Sequence, residues 1–594
     1  MLMTSWSGWF RPLSGIGLVL SALSCAAGKG GSGAPGSSEG PPAKPDQGGG
    51  TTPSGAGSGP KLDLGGVHPG GMPLAPMVTP DGPSPIVPCN GPCRDFPAEP
   101  QLDPKAENPV PADAAARFAG SAEAGAPCVF EPEPSAIFPR NWLRPRVNFI
   151  PSAGHDLFEI RLHSDQEAND LVVYTTSVPW HMPKDWWTAM TSHVGEEWQV
   201  KLSVRSVSSQ GGAPSQPAEL SFTIAPAEAN GTLVYWTSTG VGSLKGFAVG
   251  DENVVEALTP PQVRQKTSTC IGCHTSTPDG KFAGFVVPEP RAALPPNQNT
   301  FTSALGSLET GGPGEVPTFL GAGARQFMDT AQTGLQAFSA AHWQAGDHVM
   351  IAQSGRGRSE LYWVDLEAAT PGLGSAYGIL KREGDPKGGG APSWSRNGER
   401  IFYVSTDTAV DGRLDGTDTD VYSIPYKDRR GGPATKLAGA SAGEFAEYYP
   451  TISGDDRLIA FNRVPNGVGI YNSPVAEVLV VPADGGEPAR LVGNDPPACT
   501  QWPGPGPSNT WPKWSPEVQK VGGVSYYWLV FASTRNRDYR PQLHMTGVAI
   551  AEGSNEIRTH GAVHVWNQPE NESNHTPAWD VFKIPKTPPP TVVK

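Results

Sequence analysis

The sequence has few charged residues and a deficit of basic ones. Only 17% of its 594 residues are charged, and 44 Lys and Arg stand against 58 Asp and Glu, for a formal net charge of −14. Nucleic acid is therefore not expected as a partner, because binding it requires a basic face. The chain also lacks an H-E-x-x-H motif, a phosphate-binding loop and a recognisable Ser/His/Asp set. These absences disfavour the common metalloproteases, nucleotide-dependent enzymes and serine hydrolases.

Glycine, proline and aromatic residues are abundant instead. The chain contains 72 Gly and 64 Pro, which indicates that part of it does not fold into a core. It also contains 17 Trp, 20 Phe and 13 Tyr, so the part that folds can bury a large apolar core. This composition is typical of an extracytoplasmic, β-rich protein with several folded units.

Residues 1–25 are predicted to be an export signal. Arg11 precedes an apolar stretch from Leu13 to Leu23, which is too short to span a bilayer. The stretch ends in A-L-S-C at residues 22–25, which resembles a bacterial lipoprotein cleavage site with Cys25 as the lipidated residue. We therefore expect an outer-membrane lipoprotein of the bacterial cell envelope, facing the periplasm or the cell exterior and held by its lipid anchor only. The alternative is an ordinary secretory signal and a secreted protein.

Two further regions precede the main domain. Residues 26–127 are rich in Gly, Pro and Ala, and such a composition predicts a disordered tether. Residues 128–228 contain strand-like runs in which apolar and polar residues alternate, the pattern of a sheet with one wet face. The runs and their order resemble a fibronectin type III or immunoglobulin-like β-sandwich, usually a spacer or recognition unit. The predicted strands are Leu157–His163, Leu171–Tyr174, Trp198–Val207 and Leu220–Ile224.

Residues 229–594 contain a repeat with a period near 60. Each copy joins a polar turn to a short apolar strand, as in S-R-N-G-E-R-I-F-Y at 395–403 and S-G-D-D-R-L-I-A-F at 453–461, with a looser copy at 342–352. The region resembles TolB-like β-propellers, whose blades carry an S-x-D-G-[KR] hairpin often preceded by P-x-W. The resemblance implies an all-β fold of about six blades, or seven, with residues 233–247 completing a blade across the chain ends.

The motif C-I-G-C-H at residues 270–274 carries the strongest chemical signal. In C-x-x-C-H, two thiols form thioethers to a c-type haem and the His becomes an axial iron ligand. A thioredoxin-type pair would need a βαβ setting, and a zinc site would need a second Cys/His pair nearby. A plain disulfide is the remaining alternative. The motif therefore predicts covalent haem c at Cys270, Cys273 and His274.

The sixth position of the iron has three candidate ligands. Met328 lies in a long connection that could fold over a haem, and His342 stands before Trp343 in the looser repeat copy. His575 opens the last repeat fragment, which ring closure would bring beside the first blade. The identity of this ligand would decide between an electron carrier and a ligand sensor.

Two other features leave alternatives open. Cys89, Cys93, Cys128 and Cys499 form an even set that allows three disulfide pairings. Residues 411–420 are dense in Asp and Gly and resemble a calcium-binding loop, although the Glu that closes an EF-hand loop is missing. Calcium is therefore a second cofactor to consider.

Three functions are consistent with these motifs. The first is a haem c propeller lipoprotein that transfers electrons or senses redox state or a ligand, with a redox protein as its partner. The second is a TolB-like propeller that binds an envelope protein or polysaccharide without a working haem. The third is a haem-dependent oxidoreductase, which the missing catalytic motifs disfavour. The propeller resemblance does not choose among them.

Overall fold

The computed structural model describes residues 84–586, with gaps at 124, 241, 264–269, 291–298, 310–315, 332, 355–358, 408, 411–412, 415, 501–506 and 536–539. The predicted signal with Cys25, most of the predicted tether and part of the candidate calcium loop lie outside the described residues. No helix within the described ranges is long and apolar enough to cross a membrane. Strands dominate the rest, which confirms the all-β prediction.

The N-terminal domain is a sandwich of a six-stranded and a three-stranded sheet. Their strand orders are β1-β6-β5-β8-β9-β3 and β2-β4-β7, and Phe149 of one sheet packs edge-on against Phe158 of the other, with ring centroids 4.9 Å apart. The elements are β1 (Gln101–Leu102), α1 (Ala114–Arg117), β2 (Cys128–Glu131), β3 (Ile137–Pro139), β4 (Arg146–Ile150), β5 (Leu157–His163), β6 (Leu171–Thr175), β7 (Trp180–His181), α2 (Lys184–Thr191), β8 (Trp198–Val207) and β9 (Ala218–Ala225).

All four strands predicted here exist, since β5, β6, β8 and β9 cover them. The alternation along β8 follows the prediction, because Val200, Leu202 and Val204 are buried in the core. Two edge pairs, β1 with β6 and β3 with β9, are parallel, unlike the antiparallel sheets of immunoglobulin-type modules. The sandwich is therefore present, and its assignment to that module type stays a prediction.

The predicted tether extends too far at its C-terminal end. Residues 84–127 pack on the sandwich in the described structure, where β1 pairs with β6 and Phe96 is buried in the core. Phe118, just after α1, stacks on Tyr174 with ring centroids 5.6 Å apart. The prediction relied on the average composition of residues 26–127, in which a few aromatic residues have little weight. Each of these aromatic residues nevertheless buries a large apolar area.

Six sheets follow, each a blade whose strands are antiparallel neighbours. Blades 1 to 3 contain β10 (Thr232–Thr237), β11 (Ser243–Ala248), β12 (Val255–Leu258); β13 (Gly272–Ser276), β14 (Ala283–Pro290), β15 (Asn299–Gly306); and α3 (Ala322–Thr330), β16 (Thr333–Ala337), α4 (Ala340–Gln344), β17 (Val349–Ser354), β18 (Glu360–Asp365), β19 (Tyr377–Ile379). A short strand β20 (Arg382–Glu383) leads to the next blade.

Blades 4 to 6 follow the same plan with added hairpins. Their strands are β21 (Gly388–Trp394), β22 (Arg400–Thr406), β23 (Ala409–Val410), β24 (Arg413–Leu414), β25 (Asp420–Pro425), β26 (Gly432–Pro433), β27 (Thr435–Lys436); β28 (Phe445–Ile452), β29 (Leu458–Pro465), β30 (Glu477–Pro482), β31 (Ala489–Arg490); and β32 (Asn509–Trp514), β33 (Gln519–Val521), β34 (Val524–Ser533), β35 (Gln542–Ala551), β36 (Arg558–Thr559), β37 (Val563–His564). The described 3-10 turns are Pro260–Gln262, Val492–Asn494 and Ala498–Thr500.

The last strand, β38 (Asn574–Asp580), closes the ring. It pairs antiparallel with β10, with Leu233 opposite Trp579, and becomes the innermost strand of blade 1. The innermost strands β38, β13, β16, β21, β28 and β32 each contact the next around a closed ring. The propeller therefore has six blades, and the prediction that residues 233–247 complete a blade with the C-terminal segment is confirmed.

The recurring turn motif has a local physical cause. Ser395 Oγ accepts a hydrogen bond from the Arg400 N–H at 2.9 Å, five residues on. Ser453 and Thr277 accept the equivalent bond at 3.0 and 3.1 Å. The hydroxyl thus caps the turn between the innermost strand and the next, which is why Ser or Thr recurs there.

The sandwich and blade 6 share one apolar core. Trp528 of β34 is buried there and donates its indole N–H to Glu228 O at 3.1 Å. Gly547 faces Ile137 of β3 so closely that a Cβ would clash, which explains a glycine in the middle of β35. Of the three possible pairings, the cysteines adopt Cys89–Cys93 and Cys128–Cys499, and the second joins the sandwich to the loop before blade 6.

Candidate functional site in the propeller channel

A β-bulge recurs at one place on the innermost strands. The strand register shifts there in all six blades, and in five of them a residue with φ between 20° and 54° marks the position. Non-glycine residues rarely adopt positive φ, so its recurrence identifies a feature of the fold. The five residues are Cys273, Ala391, Tyr449, Trp511 and Thr576.

The bulges ring the waist of the central channel. The five bulge residues and Leu335 of the remaining blade line a cavity of about 30 Å³. The residue after the bulge is proline in four blades, at Pro392, Pro450, Pro512 and Pro577. His274 takes that place in blade 2, so the last two residues of the C-x-x-C-H motif belong to the channel wall. The P-x-W lead-in was a signal for this alignment, but blade 2 lacks both the Pro and the Trp.

A wider cavity of about 130 Å³ lies at the channel mouth, where the innermost strands end. Three indoles, those of Trp394, Trp514 and Trp579, contribute to its wall, together with mostly polar groups. The basic side chains that line this cavity are those of Lys513 and Arg396. A mouth of this composition suits a charged or strongly polar group.

The charges at the mouth are unbalanced. Among the described residues that line the mouth, Asp580 provides the carboxylate. Burial raises the pKa of Asp580 to about 6, whereas the positive charges of Arg396 and Lys513 lower it. Arg396 donates from Nη1 to Pro516 O at 2.8 Å. Lys513 makes no ion pair or side-chain hydrogen bond to any described residue, and burial lowers its pKa. The mouth therefore has two cationic side chains for one carboxylate.

His274 is held by its neighbour in blade 1. The residue is 7% exposed, and Nε2–H donates to Val234 O at 3.0 Å, since a carbonyl can only accept. Nδ1 therefore has a lone pair, and it finds no hydrogen-bond partner among the described residues. Burial lowers the pKa of His274 to about 4, so the ring is neutral near pH 7.

The two cysteines of the motif differ. Cys273 is the free thiol among the described cysteines, and burial raises its pKa to about 11, so it is not a thiolate near neutral pH. Cys270 lies beside Gly242 and does not line either channel cavity. The motif thus presents one protonated thiol at the channel waist.

Neither channel cavity, as described, encloses a haem. Both channel cavities are far smaller than the roughly 300–1,000 Å³ of pockets that enclose ligands of drug size, and a porphyrin is at least that large. His274 Nε2 is hydrogen-bonded to Val234 O. Haem attachment at Cys270, Cys273 and His274 therefore requires a different local conformation, and it stays a prediction.

Two of the sixth-ligand candidates, Met328 and His575, are buried. Met328 lies on α3 in the apolar cluster of blade 3, together with Phe327. His575 lies on the innermost strand β38, where its ring contacts Trp236 at 4.5 Å between centroids. Burial lowers the pKa of His575 to about 3. Of the two, His575 is the one on the channel-forming ring of strands.

The third candidate, His342, is not at the blade position expected for it. It lies on α4, and its Nδ1 bonds to Asp347 Oδ2 at 2.8 Å. The innermost strand of blade 3 is β16, which ends before α4 begins. Gln336 is therefore the repeat equivalent of His274, and the looser copy predicted at 342–352 started too late. Blade 3 lacks the P-x-W lead-in that aligns blades 1, 4 and 6, so this signal is missing there.

No family model matches the chain, and no curated protein matches it. Solved structures that resemble it include a protein assigned as TolB from Agrobacterium tumefaciens, with 16% identity, 58% of this chain and 97% of that chain covered, and a TM-score of 0.30. A protein assigned as 6-phosphogluconolactonase from Bacteroides fragilis shows 10% identity, 71% and 98% coverage, and a TM-score of 0.28. The dihydro-haem d1 dehydrogenase NirN shows 10% identity, 64% and 73% coverage, and 0.24. The fold assignment rests on the strand pairing described above.

Proposed function

We propose that this protein is a binding propeller of the bacterial cell envelope whose channel mouth takes a carboxylate of its partner. The observation that carries the proposal is Lys513, whose side chain reaches the mouth and makes no ion pair to any described residue. Unpaired cations in partly dehydrated sites attract anions strongly. Arg396 adds a second positive charge, and a carboxylate would balance the excess over Asp580.

The size of the mouth indicates which part of a partner enters. A cavity of about 130 Å³ holds an end group and not a whole ligand, since complete ligand pockets measure roughly 300–1,000 Å³. Trp394, Trp514 and Trp579 offer apolar faces around the charged centre, as is common in specific binding sites. The free carboxylate of a peptide end and the carboxylate of an acidic sugar both have this chemistry.

A fluorescence titration tests the proposal, because the indoles at the mouth report on occupancy. The probes are a glycine pentapeptide with a free C-terminal carboxylate, the same peptide as its amide, and trigalacturonic acid. We expect the amide to bind at least about tenfold more weakly than the free acid. Whether the peptide or the uronate binds more tightly identifies a protein or a polysaccharide partner.

A matched pair of variants locates the binding. Lys513→Met should weaken binding of the preferred acid about tenfold or more, because it removes the unpaired cation. Lys520→Met is the control, since Lys520 pairs with Glu552 on an exposed strand and does not line the mouth. Equal affinity of acid and amide, or equal effects of the two variants, would refute the proposal.

Haem c attachment with electron transfer or redox sensing is a second candidate, favoured by one observation. The buried His274 has an Nδ1 lone pair without a described partner, one residue from the Cys273 thiol. When bound, a haem would supply redox chemistry, and a redox protein would be the partner. A pyridine haemochrome assay on protein made in a cytochrome c-maturing host tests this. A c-type α-band that survives acid-acetone extraction supports it, and a colourless protein removes it.

The cellular location is also a proposal. We infer from the A-L-S-C sequence that Cys25 is lipidated and holds the protein at the outer membrane. Cys25→Ser should move the protein from the membrane fraction to the soluble fraction. A wild-type protein that is already soluble would refute the anchor and favour secretion.

A further inference from the structure

A cavity of about 330 Å³ lies where the sandwich meets blade 6. Strands β2 and β4 of the sandwich and β35 and β37 of blade 6 contribute to its lining. The loop before blade 6 adds Pro496, Pro497 and Thr500, and the Cys128–Cys499 disulfide ties that loop to β2. Unlike the two channel cavities, this one reaches the roughly 300–1,000 Å³ of pockets that enclose a complete small ligand.

The buried charges of the cavity wall are already paired with one another. Arg146 Nε donates to Glu131 Oε2 at 2.9 Å, and Nη1 of the same guanidinium pairs with Glu570. Arg535 Nη1 pairs with Glu133. Two buried guanidinium groups therefore balance two buried carboxylates, and the side chain of Glu570 is 59% exposed to solvent. In contrast to the channel mouth, the described lining has no excess positive charge to attract an anion.

Two buried polar atoms of the lining residues have no hydrogen-bond partner among the described residues, Glu131 Oε1 and His564 Nε2. Arg146 Nη2 can only donate, so His564 Nδ1, 2.7 Å away, accepts and the ring proton lies on Nε2. Burial and the charge of Arg146 hold the pKa of His564 well below its usual value, so the ring is neutral near pH 7. Nδ1 of this ring lies 3.7 Å from Glu131 Oε1. An unused donor and an unused acceptor thus belong to neighbouring side chains.

The remaining lining indicates the class of ligand. A hydroxyl group both donates and accepts, which suits this donor and this acceptor together. A carboxylate would only accept and an ammonium group would only donate, and either charge would lose its water beside ion pairs that are already complete. Phe130, Ile150, Pro496 and Pro497 add apolar surface, against which the C–H groups of a sugar ring can pack.

We propose that this cavity binds a small neutral ligand with several hydroxyl groups, of the size of a monosaccharide. The site is separate from the channel mouth, because no described residue lines both cavities. The ion pairs and the disulfide hold its wall in place, which lowers the entropy lost when a ligand binds.

Calorimetric titration of the full chain with glucose, galactose and mannose tests the proposal, each sugar being compared with its 2-amino and its uronic-acid counterpart. We expect at least one neutral sugar to bind with one molecule per chain, and its charged counterparts to bind at least about tenfold more weakly. Parallel titrations of Lys513→Met exclude uronates bound at the channel mouth. Absence of one-to-one binding of any neutral sugar below about 10 mM, or tighter binding of a charged counterpart in Lys513→Met, would overturn the proposal.

Variants locate the binding. Ile150→Trp should fill the cavity and weaken binding of the preferred neutral sugar at least about tenfold. Ile379→Trp is the matched control, since Ile379 is 48% exposed on β19 and does not line the cavity. His564→Phe keeps a ring but removes the Nε2–H donor, and should weaken binding about tenfold. Circular dichroism checks that each variant folds, and sugar binding unchanged by Ile150→Trp would overturn the assignment.

Discussion

Removal of the Cys128–Cys499 disulfide should destabilise the protein far more than removal of Cys89–Cys93. The first bond spans 371 positions of the sequence and the second spans four. In the loop-closure model, a bond stabilises by restricting the unfolded chain, and its contribution grows with the logarithm of the loop length. At 25 °C the model gives about 6 kcal/mol for the long loop and about 2 kcal/mol for the short one.

The native structure should tolerate the loss of either bond. The shared core of the sandwich and blade 6 keeps Cys128 and Cys499 close, and the indole of Trp528 bonds to Glu228 O across the same junction. The cost of the double change Cys128→Ser/Cys499→Ser therefore arises mainly in the unfolded state. The double change Cys89→Ser/Cys93→Ser is the matched control, with the same chemistry and a short loop.

Guanidinium unfolding at 25 °C without reductant or divalent metal measures the difference. Tryptophan fluorescence and circular dichroism should follow one transition, because the two domains share a core. The long-range variant should lose about 4 kcal/mol more than the control. Equal losses would refute the loop-closure reasoning, and two separate transitions in the wild type would refute the single cooperative unit.

Three further predictions follow from other residues. Because the pKa of Asp580 is raised to about 6, its carboxylate is neutral at pH 5 and charged at pH 8, so the free-acid peptide should bind more tightly at pH 5. In the fluorescence titration Asp580→Asn should remove most of this dependence, and tighter binding at pH 8 would contradict it. Gly280 has φ +70° and a Cβ there would clash with Val581 O, whereas Gly553 has φ +74° and open space. Gly553→Ala should therefore cost about 1 kcal/mol and Gly280→Ala clearly more, and equal melting temperatures would refute the clash. Arg146→Met leaves the buried Glu131 without its ion-pair partner and should cost about 3–5 kcal/mol in chemical denaturation. The double change with Glu131→Gln should cost less, and the opposite order would show that the ion pair is not the cause.

Much of the fold was predictable because strands and turns have local signatures. The strand at Trp198–Val207 was predicted with its bounds, since alternating Val and Leu face the core. The hairpin turns were predicted from a recurring polar turn before a short apolar strand, and the structure shows that Ser395 and Ser453 cap two of these turns. In blade 3 the same reasoning placed the repeat copy too late, because its innermost strand, Thr333–Ala337, has neither Pro nor Trp to mark it.

The candidate sites were less predictable, because they depend on residues that meet across long stretches of sequence. The C-x-x-C-H motif was recognisable in the sequence. The sequence did not show that His274 takes the place of a proline in the channel wall and hydrogen-bonds to Val234 O. Lys513 is the middle residue of a P-x-W lead-in, and no local sequence pattern indicates that its side chain lines the channel.

The sequence by itself determined an all-β chain with a sandwich and a repeated blade, because alternation and turn chemistry act within a few residues. Only the tertiary structure decided that β38 closes the ring with β10, that Cys128 pairs with Cys499, and that six bulges form one channel. The physical reason is that each of these contacts depends on the path of the whole chain. Strand register and ring closure bring together side chains that are far apart in the sequence. No local sequence pattern around these residues indicates that they are in contact.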